Sequence, residues 1–178
     1  FENDNITHVD GSIDPVRDKG IIDTELQLKD LETIENRLAK TQKQAVVGGD
    51  KQAKRAVEIL LQYKAVLEQG LSARTVELEK EDRKLVADLN LLTDKPVLYV
   101  CNVDEKSAVT GNEHTRAVEA AIADERAEML IVAAATEADI AELDEYEERQ
   151  MFLEEIGLKE SGVARLINCL LYTSDAAD

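Results

Sequence analysis

The sequence predicts an α/β fold in which parallel strands with crossover helices are interrupted by an inserted antiparallel helical hairpin. Three observations predict it. Two continuous apolar, β-rich runs, Lys95-Pro96-Val97-Leu98-Tyr99-Val100-Cys101 and Met129-Leu130-Ile131-Val132-Ala133, are each followed by helix-forming residues. Strand, helix, strand, helix is the pattern of a parallel sheet with crossover helices. Ahead of them lie two long stretches with apolar residues at helical spacing, separated by Gly48-Gly49-Asp50. Aromatic residues make up only 3% of the 178-residue chain, so the core is built by Leu, Ile, Val and Ala.

Asp14-Pro15 suits the start of the first helix, because proline lacks the N–H that a first turn leaves unpaired. Ile21, Leu28, Leu31, Ile34, Leu38 and Ala45 fall on one stripe, with Glu25, Lys29, Asp30, Glu32, Glu35, Arg37 and Lys40 on the solvated side. Gly48-Gly49 stops this helix and Asp50 caps the next, whose stripe is Ala53, Ala56, Val57, Leu60, Tyr63 and Leu67. Two helices joined so closely form an αα-hairpin. Gly70 ends it, and a third helix is expected over 76–89. The strand from Lys95 reads as buried on both faces. A helix follows over 113–125, then the second strand, a short helix over 138–143 and an acidic helix over 145–156. Gly157 reads as a helix stop, and Ser161 caps a last apolar helix.

The formal net charge of -17, from 38 acidic against 21 basic residues, opposes a broad grip on phosphate backbones, and no direct DNA binding is expected. No run of Lys or Arg stands out along the chain, although a local basic stripe stays open. Cys101 and Cys169 make neither a disulfide framework nor a metal cluster, and Cys101 reads as an inert core thiol. His8 and His114 have no ligand-spaced neighbours for zinc, and Asp10-Gly11-Ser12-Ile13-Asp14 fails the calcium-loop spacing. With no signal peptide and no membrane-length apolar run, the expected compartment is a reducing cytoplasm.

In a parallel sheet, ligands sit beyond the carboxyl ends of the strands. The two segments at those ends are Asn102-Val103-Asp104-Glu105 and Ala133-Ala134-Ala135-Thr136-Glu137. They resemble the base-binding loops of P-loop GTPases, whose first loop is Asn-Lys-x-Asp. There the Asp accepts two hydrogen bonds from guanine, the Asn braces the loop and the Lys stem stacks over the ring. Here Val103 replaces that Lys and Glu105 that Asp. A longer side chain displaces the carboxylate, so the guanine clamp is expected to relax, while adenine presents an acceptor beside its amino donor.

The resemblance becomes specific in ordered blocks. Phe1-Glu2-Asn3-Asp4-Asn5-Ile6-Thr7-His8-Val9, Asp14-Pro15-Val16-Arg17-Asp18, Thr24-Glu25-Leu26 and Asp30-Leu31-Glu32-Thr33 are similar to the opening of the helical region in the Obg-like ATPases, the YchF family. Lys95 through Glu105 is similar to that family's base-specificity strand and Asn-x-x-Glu motif. Glu137-Ala138-Asp139-Ile140-Ala141-Glu142-Leu143 and Leu153 through Gly162 are similar to its following segments. The resemblance implies a P-loop ATPase that prefers ATP over GTP, uses Mg²⁺ at the phosphates and associates with ribosomes. It also implies a helical arm inserted in the nucleotide domain and a TGS domain further along. By motif position, Asn102, Val103 and Glu105 border the purine, with Ala133, Ala134 and Ala135 closing its other side.

On this reading residues 1–20 and 90–157 belong to a partial P-loop nucleotide-binding domain, 21–89 form a coiled-coil-like arm, and 158–168 begin the connection toward the TGS domain. Residues 169–178 read as translated sequencing-adapter sequence. Starting on Phe1 without Met, the chain reads as an internal piece of a longer protein. It has no Gly-x-x-x-x-Gly-Lys-Ser/Thr and no Asp-x-x-Gly, so phosphates and Mg²⁺ lack their ligands and the piece alone is expected to be inert. Gly48-Gly49-Asp50-Lys51 has the wrong spacing for phosphate. Two rivals stand beside this reading: a non-enzymatic helical interaction module, and a relative that keeps GTP selectivity.

Overall fold

The computed structural model describes residues 12–47 and 50–175. The Phe1–Val9 block, His8, the Asp10-Gly11 turn, the Gly48-Gly49 stop and the last three residues of the tail lie outside them. The chain divides into two compact units: Arg17–Lys95, and Pro96–Asp178 together with Phe1–Val16.

The first unit is built on α1 (Pro15–Val47) and α2 (Lys51–Glu68). Their antiparallel sense follows from two bonds: Lys64 Nζ meets Glu35 at 2.6 Å, and Gln27 Nε2 donates to the Gly70 carbonyl at 3.0 Å, so positions descend along α1 as they rise along α2. Asp50 caps α2 by accepting from Gln52 N at 2.8 Å. Gly70 ends it at φ +72, and Leu71 N returns to the Val66 carbonyl, a left-handed close that glycine adopts without a Cβ penalty. Ile34 and Leu38 interleave with Ile59, Leu60, Tyr63 and Leu67, and Ala73, Val76, Val86 and Leu91 complete that core.

Three expectations are corrected here. Ile21 and Leu28 are exposed rather than on the buried stripe. Asp30, expected on the solvated side, is 2% exposed. Its carboxylate accepts from Leu92 N (2.8 Å), Thr93 N (2.7 Å) and Thr93 Oγ1 (2.7 Å), so a charge is buried because three donors replace its water. The helix expected over 76–89 is shorter: after a 3-10 turn at Ala73–Thr75 the chain is extended, and α3 is only Lys80–Val86, followed by a 3-10 turn at Ala87–Leu89. Val76 and Leu78 turn inward while Glu77 and Glu79 turn out. That two-residue alternation belongs to extended chain.

Tyr63 is 1% exposed and lies beside Asp94, whose own carboxyl burial pushes up. Burial above all, with the Asp94 charge, pushes the Tyr63 phenol from 10.0 up to about 12. The folded state therefore holds this proton after the unfolded chain has released it. The stability it contributes is present below pH 10 and is lost as pH rises from 10 toward 12. The expected loss is on the order of 2 kcal/mol by the top of that window. Denaturant midpoints for the native chain and Tyr63→Phe should converge across it; parallel curves would refute the assignment.

The second unit holds β1 (Val97–Asn102), α4 (Glu113–Ala121), β2 (Ala127–Val132), α5 (Ala134–Glu142), α6 (Tyr146–Glu155) and α7 (Gly162–Asp175). β1 and β2 pair in parallel, Val97 opposite Ala127 through Asn102 opposite Val132, with α4 as crossover. β1 is not buried on both faces, since Val100 is 52% exposed; among the described residues the sheet has two strands, and this side chain has no layer over it. α4 stops at Ala121 instead of reaching 125, with Ile122 turning inward as its C-cap. α7 packs against β2 and α5, and Ser161 Oγ caps its first turn by accepting from Ala164 N at 3.1 Å.

Candidate nucleotide-base site

The parallel register places Asn102 and Val132 side by side as the last residues of the two strands. Two backbone paths therefore leave the sheet at the same edge. Asn102 Oδ1 accepts from Ala134 N at 3.0 Å, and Val103 N donates to the Val132 carbonyl at 2.8 Å. The two segments singled out by sequence are thus tied to each other directly.

Beyond that joint the side chains separate into two sets. Val103 is 5% exposed and packs with Ala108 and Ala133 against Ile131 and Leu158. It offers its side chain to the core, not to a ring, so it does not take the stacking place of the lysine stem. Ala133 is buried in the same cluster, whereas Asn102, Glu105, Ala134 and Ala135 are exposed.

Asp104 and Glu105 play different parts. Asp104 Oδ1 accepts from Ser107 N at 3.0 Å and caps the 3-10 turn Glu105–Ser107. The Ser107 hydrogen bond holds its carboxyl below the usual range. Asp104 is committed to the loop, and Glu105 is an exposed carboxylate with no hydrogen-bond or ion-pair partner among the described residues.

The second segment is not a loop beyond its first residue. α5 starts at Ala134, with Ala133 as N-cap, so Ala134 to Glu137 form a helical first turn. Ala134 N is taken by Asn102 and Glu137 N by the Ala133 carbonyl, leaving the N–H groups of Ala135 and Thr136 at the terminus. The side chains of Ala134 and Ala135 there are exposed methyl groups. Purine ring nitrogens and exocyclic oxygens are acceptors, so the donors fit a purine edge, as the side-chain amide of Asn102 does.

Sequence reading missed the braces behind this terminus. Glu137 Oε1 accepts from Gly162 N at 2.6 Å, fixing the start of α5 to the start of α7. A Cβ at Gly162 would stand 2.9 Å from that oxygen and 3.1 Å from Val132 Cγ1, so a side chain there would have to displace the Glu137 carboxylate. Arg165 Nη2 donates to the Ile131 carbonyl from α7. Cys101 is half-buried, and burial pushes its thiol up, away from nucleophile chemistry. Among the described residues, no group of three or more His, Cys, Asp or Glu is placed to hold a metal ion, and no helix is long and apolar enough to cross a membrane. Among the described residues, these side chains offer no such ligand set for Mg²⁺.

No protein-family model matches the sequence. Individual proteins do. The chain is 47% identical over 169 residues to the ribosome-binding ATPase YchF of Bacillus subtilis (strain 168), covering 94% of this chain and 46% of that protein. It is 42% identical over 167 residues to the protein of the same name from Escherichia coli O157:H7, covering 94% and 45%. The chain belongs to the Obg-like ATPase (YchF) family. Obg-like ATPase 1 of Oryza sativa subsp. indica shares 40% over 106 residues, 60% of this chain and 27% of that protein. The solved Schizosaccharomyces pombe YchF GTPase superposes with a TM-score of 0.82 at 24% identity, covering 94% of this chain and 46% of that one, which establishes the α/β fold with its inserted hairpin. The chain spans about half the length of the curated YchF relatives it matches.

Proposed function

We propose that this segment supplies the base-recognition edge of a cytoplasmic purine-nucleoside-triphosphate hydrolase that associates with ribosomes, with ATP as the preferred nucleotide. The observation that carries the reading is the Asn102 Oδ1–Ala134 N bond, which holds an exposed amide and a helix terminus at one sheet edge. Asn102, Ala134 and Ala135 border the ring and Glu105 faces its hydrogen-bonding edge, while buried Val103 and Ala133 shape the floor. The ribosome enters from the names of the Bacillus subtilis and Escherichia coli relatives. The phosphate-binding loop, Mg²⁺ ligands and attacking water belong to parts outside these residues, and bound ATP·Mg²⁺ would supply the phosphoryl chemistry there.

The base reading is testable on this chain with nucleosides. Titrating adenosine or guanosine at millimolar concentration should shift the amide resonances of Asn102, Glu105, Ala134 and Ala135, adenosine more strongly. Glu105→Asp should move the preference toward guanosine by several-fold, and Asn102→Ala should weaken both by roughly tenfold, the worth of about one neutral hydrogen bond plus lost positioning. Shifts confined to other residues, or none, would remove the assignment. Val103→Lys is unsuited as a partner change, because it would bury an ammonium in the Val103–Ala108–Ala133 cluster.

A further inference from the structure

We propose that the joined ends of α1 and α2 form a docking surface for RNA phosphate backbone. Residues 37–57 hold six basic side chains, Arg37, Lys40, Lys43, Lys51, Lys54 and Arg55, against one acidic residue, Asp50, in a chain whose net charge is -17. Along the sequence these residues are scattered, and antiparallel pairing gathers them. At 1.5 Å rise per residue, Lys40 to Lys54 all lie within about 11 Å of the hairpin end.

The six divide by what they touch. Arg55 is bound by Asp82 and Glu58, and Arg37 by Asp88. Lys40, Lys43, Lys51 and Lys54 are exposed, and none has an ion-pair partner among the described residues. Three other lysines of this unit are paired: Lys29 with Glu32, Lys64 with Glu35 and Lys84 with Glu81. Between Arg37, Lys40 and Gln44 of α1 and Gln52 of α2 lies an open hollow of about 390 Å³, which the helix-capping carboxylate of Asp50 also lines; Lys43, Lys51 and Lys54 stand outside it. Glutamine amides beside unpaired ammonium groups are the donors that phosphate oxygens take.

Charge complementarity selects a polyanion, and the acidity of the remaining chain turns only this end toward it. A lipid surface is disfavoured: 37–57 contains no aromatic residue, and Val46 is its one exposed large apolar side chain among the described residues. RNA is chosen over an acidic protein on the ribosome reading proposed above.

The test uses the whole chain with purified ribosomal RNA, ribosomes, poly-glutamate and phosphatidylserine vesicles. Variants are the quadruple Lys40→Gln, Lys43→Gln, Lys51→Gln, Lys54→Gln; its four-arginine counterpart; and a control with Lys29, Lys80, Lys84 and Lys159 changed to Gln. Native chain should bind RNA with affinity falling steeply with salt, the log–log slope flattening by about one per lysine removed. The glutamine quadruple should lose at least about tenfold at low salt, while the arginine quadruple and the control bind like native chain. Circular dichroism separates lost binding from lost fold. Lysine-dependent RNA binding without ribosome binding would sustain this surface and sink the ribosome reading. Ribosome and RNA binding untouched by the glutamine quadruple would keep that reading and overturn this one. Equal or tighter binding to poly-glutamate or vesicles would overturn it as well.

Discussion

Asp30→Ala is expected to destabilise the Arg17–Lys95 unit by about 3–5 kcal/mol, enough to unfold a marginal domain. The substitution removes an acceptor and strands three donors. Leu92 N, Thr93 N and Thr93 Oγ1 all point at that carboxylate within 2.8 Å, and Asp30 and Thr93 are both buried. Hydrogen bonds to a charged group contribute about 1.5–3 kcal/mol, and an orphaned buried donor costs about 1–3. The network runs further, because Thr93 Oγ1 accepts from Ala73 N and the Thr93 carbonyl accepts from Arg74 N and its guanidinium. One carboxylate on α1 thus fixes the returning segment at 91–93 and the turn that starts at Ala73. Asp30→Asn should cost nearly as much, since its amide NH₂ would confront donors. Were Asp30 an ordinary solvated side chain, the change would stay within about 0.5 kcal/mol. Urea unfolding of Asp30→Ala, Asp30→Asn and Thr93→Val decides between these magnitudes. Thr93→Val should fall between native and Asp30→Ala.

What the sequence disclosed and what it hid follow from the range of the interactions. The stripe on α2, the Asp50 cap, the Gly70 close and the Ser161 cap are set within one or two helical turns, and pattern reading finds them. Asp30 looked solvated because its partners lie 62 and 63 residues away. Ile21 and Leu28 share a helical stripe with Ile34 yet stay exposed, since periodicity names a face without saying how far the opposing helix covers it. At the carboxyl edge of the sheet, Asn102 and Ala134 lie together because parallel strands bring their ends into register. The burial of Val103 was not legible, because its partners Ala108 and Ala133 are brought to it only by the 3-10 turn and the second strand. The helical start at Ala134 was hidden by its cap: Ala133 makes no side-chain bond, so no polar signature marks it. The lysines at 40, 43, 51 and 54 form no run, and only the hairpin makes them neighbours.

Gly111→Ala is the second large effect, expected at about 2–4 kcal/mol on the unit that holds the two-stranded sheet. Gly111 sits at φ +67, where a Cβ costs about 1–2 kcal/mol for any L-residue but glycine and, less so, asparagine. That Cβ would also stand 2.3 Å from Thr115 Oγ1 and 3.0 Å from Ile131 Cδ1. Thr115 cannot yield freely. Its hydroxyl accepts from Asn112 N, and Asn112 Oδ1 accepts from Thr115 N, the reciprocal cap that starts α4. Losing such a cap costs about 0.5–2 kcal/mol. The segment leaving Asn102 is therefore secured at both ends, by Ala134 N at its start and, through Gly111 N on the Ser107 carbonyl, by this cap at its finish. Breaking the far end should raise amide exchange over residues 104–112 and weaken the nucleoside shifts, while leaving the Asp30 network intact. A double-mutant cycle supplies the decisive sign. If the clash is the cause, Gly111→Ala should cost less in a Thr115→Ala background than in the native one, because the obstructing hydroxyl is gone. Strict additivity would mean that backbone strain alone accounts for the loss and that Gly111 does not hold the cap in place.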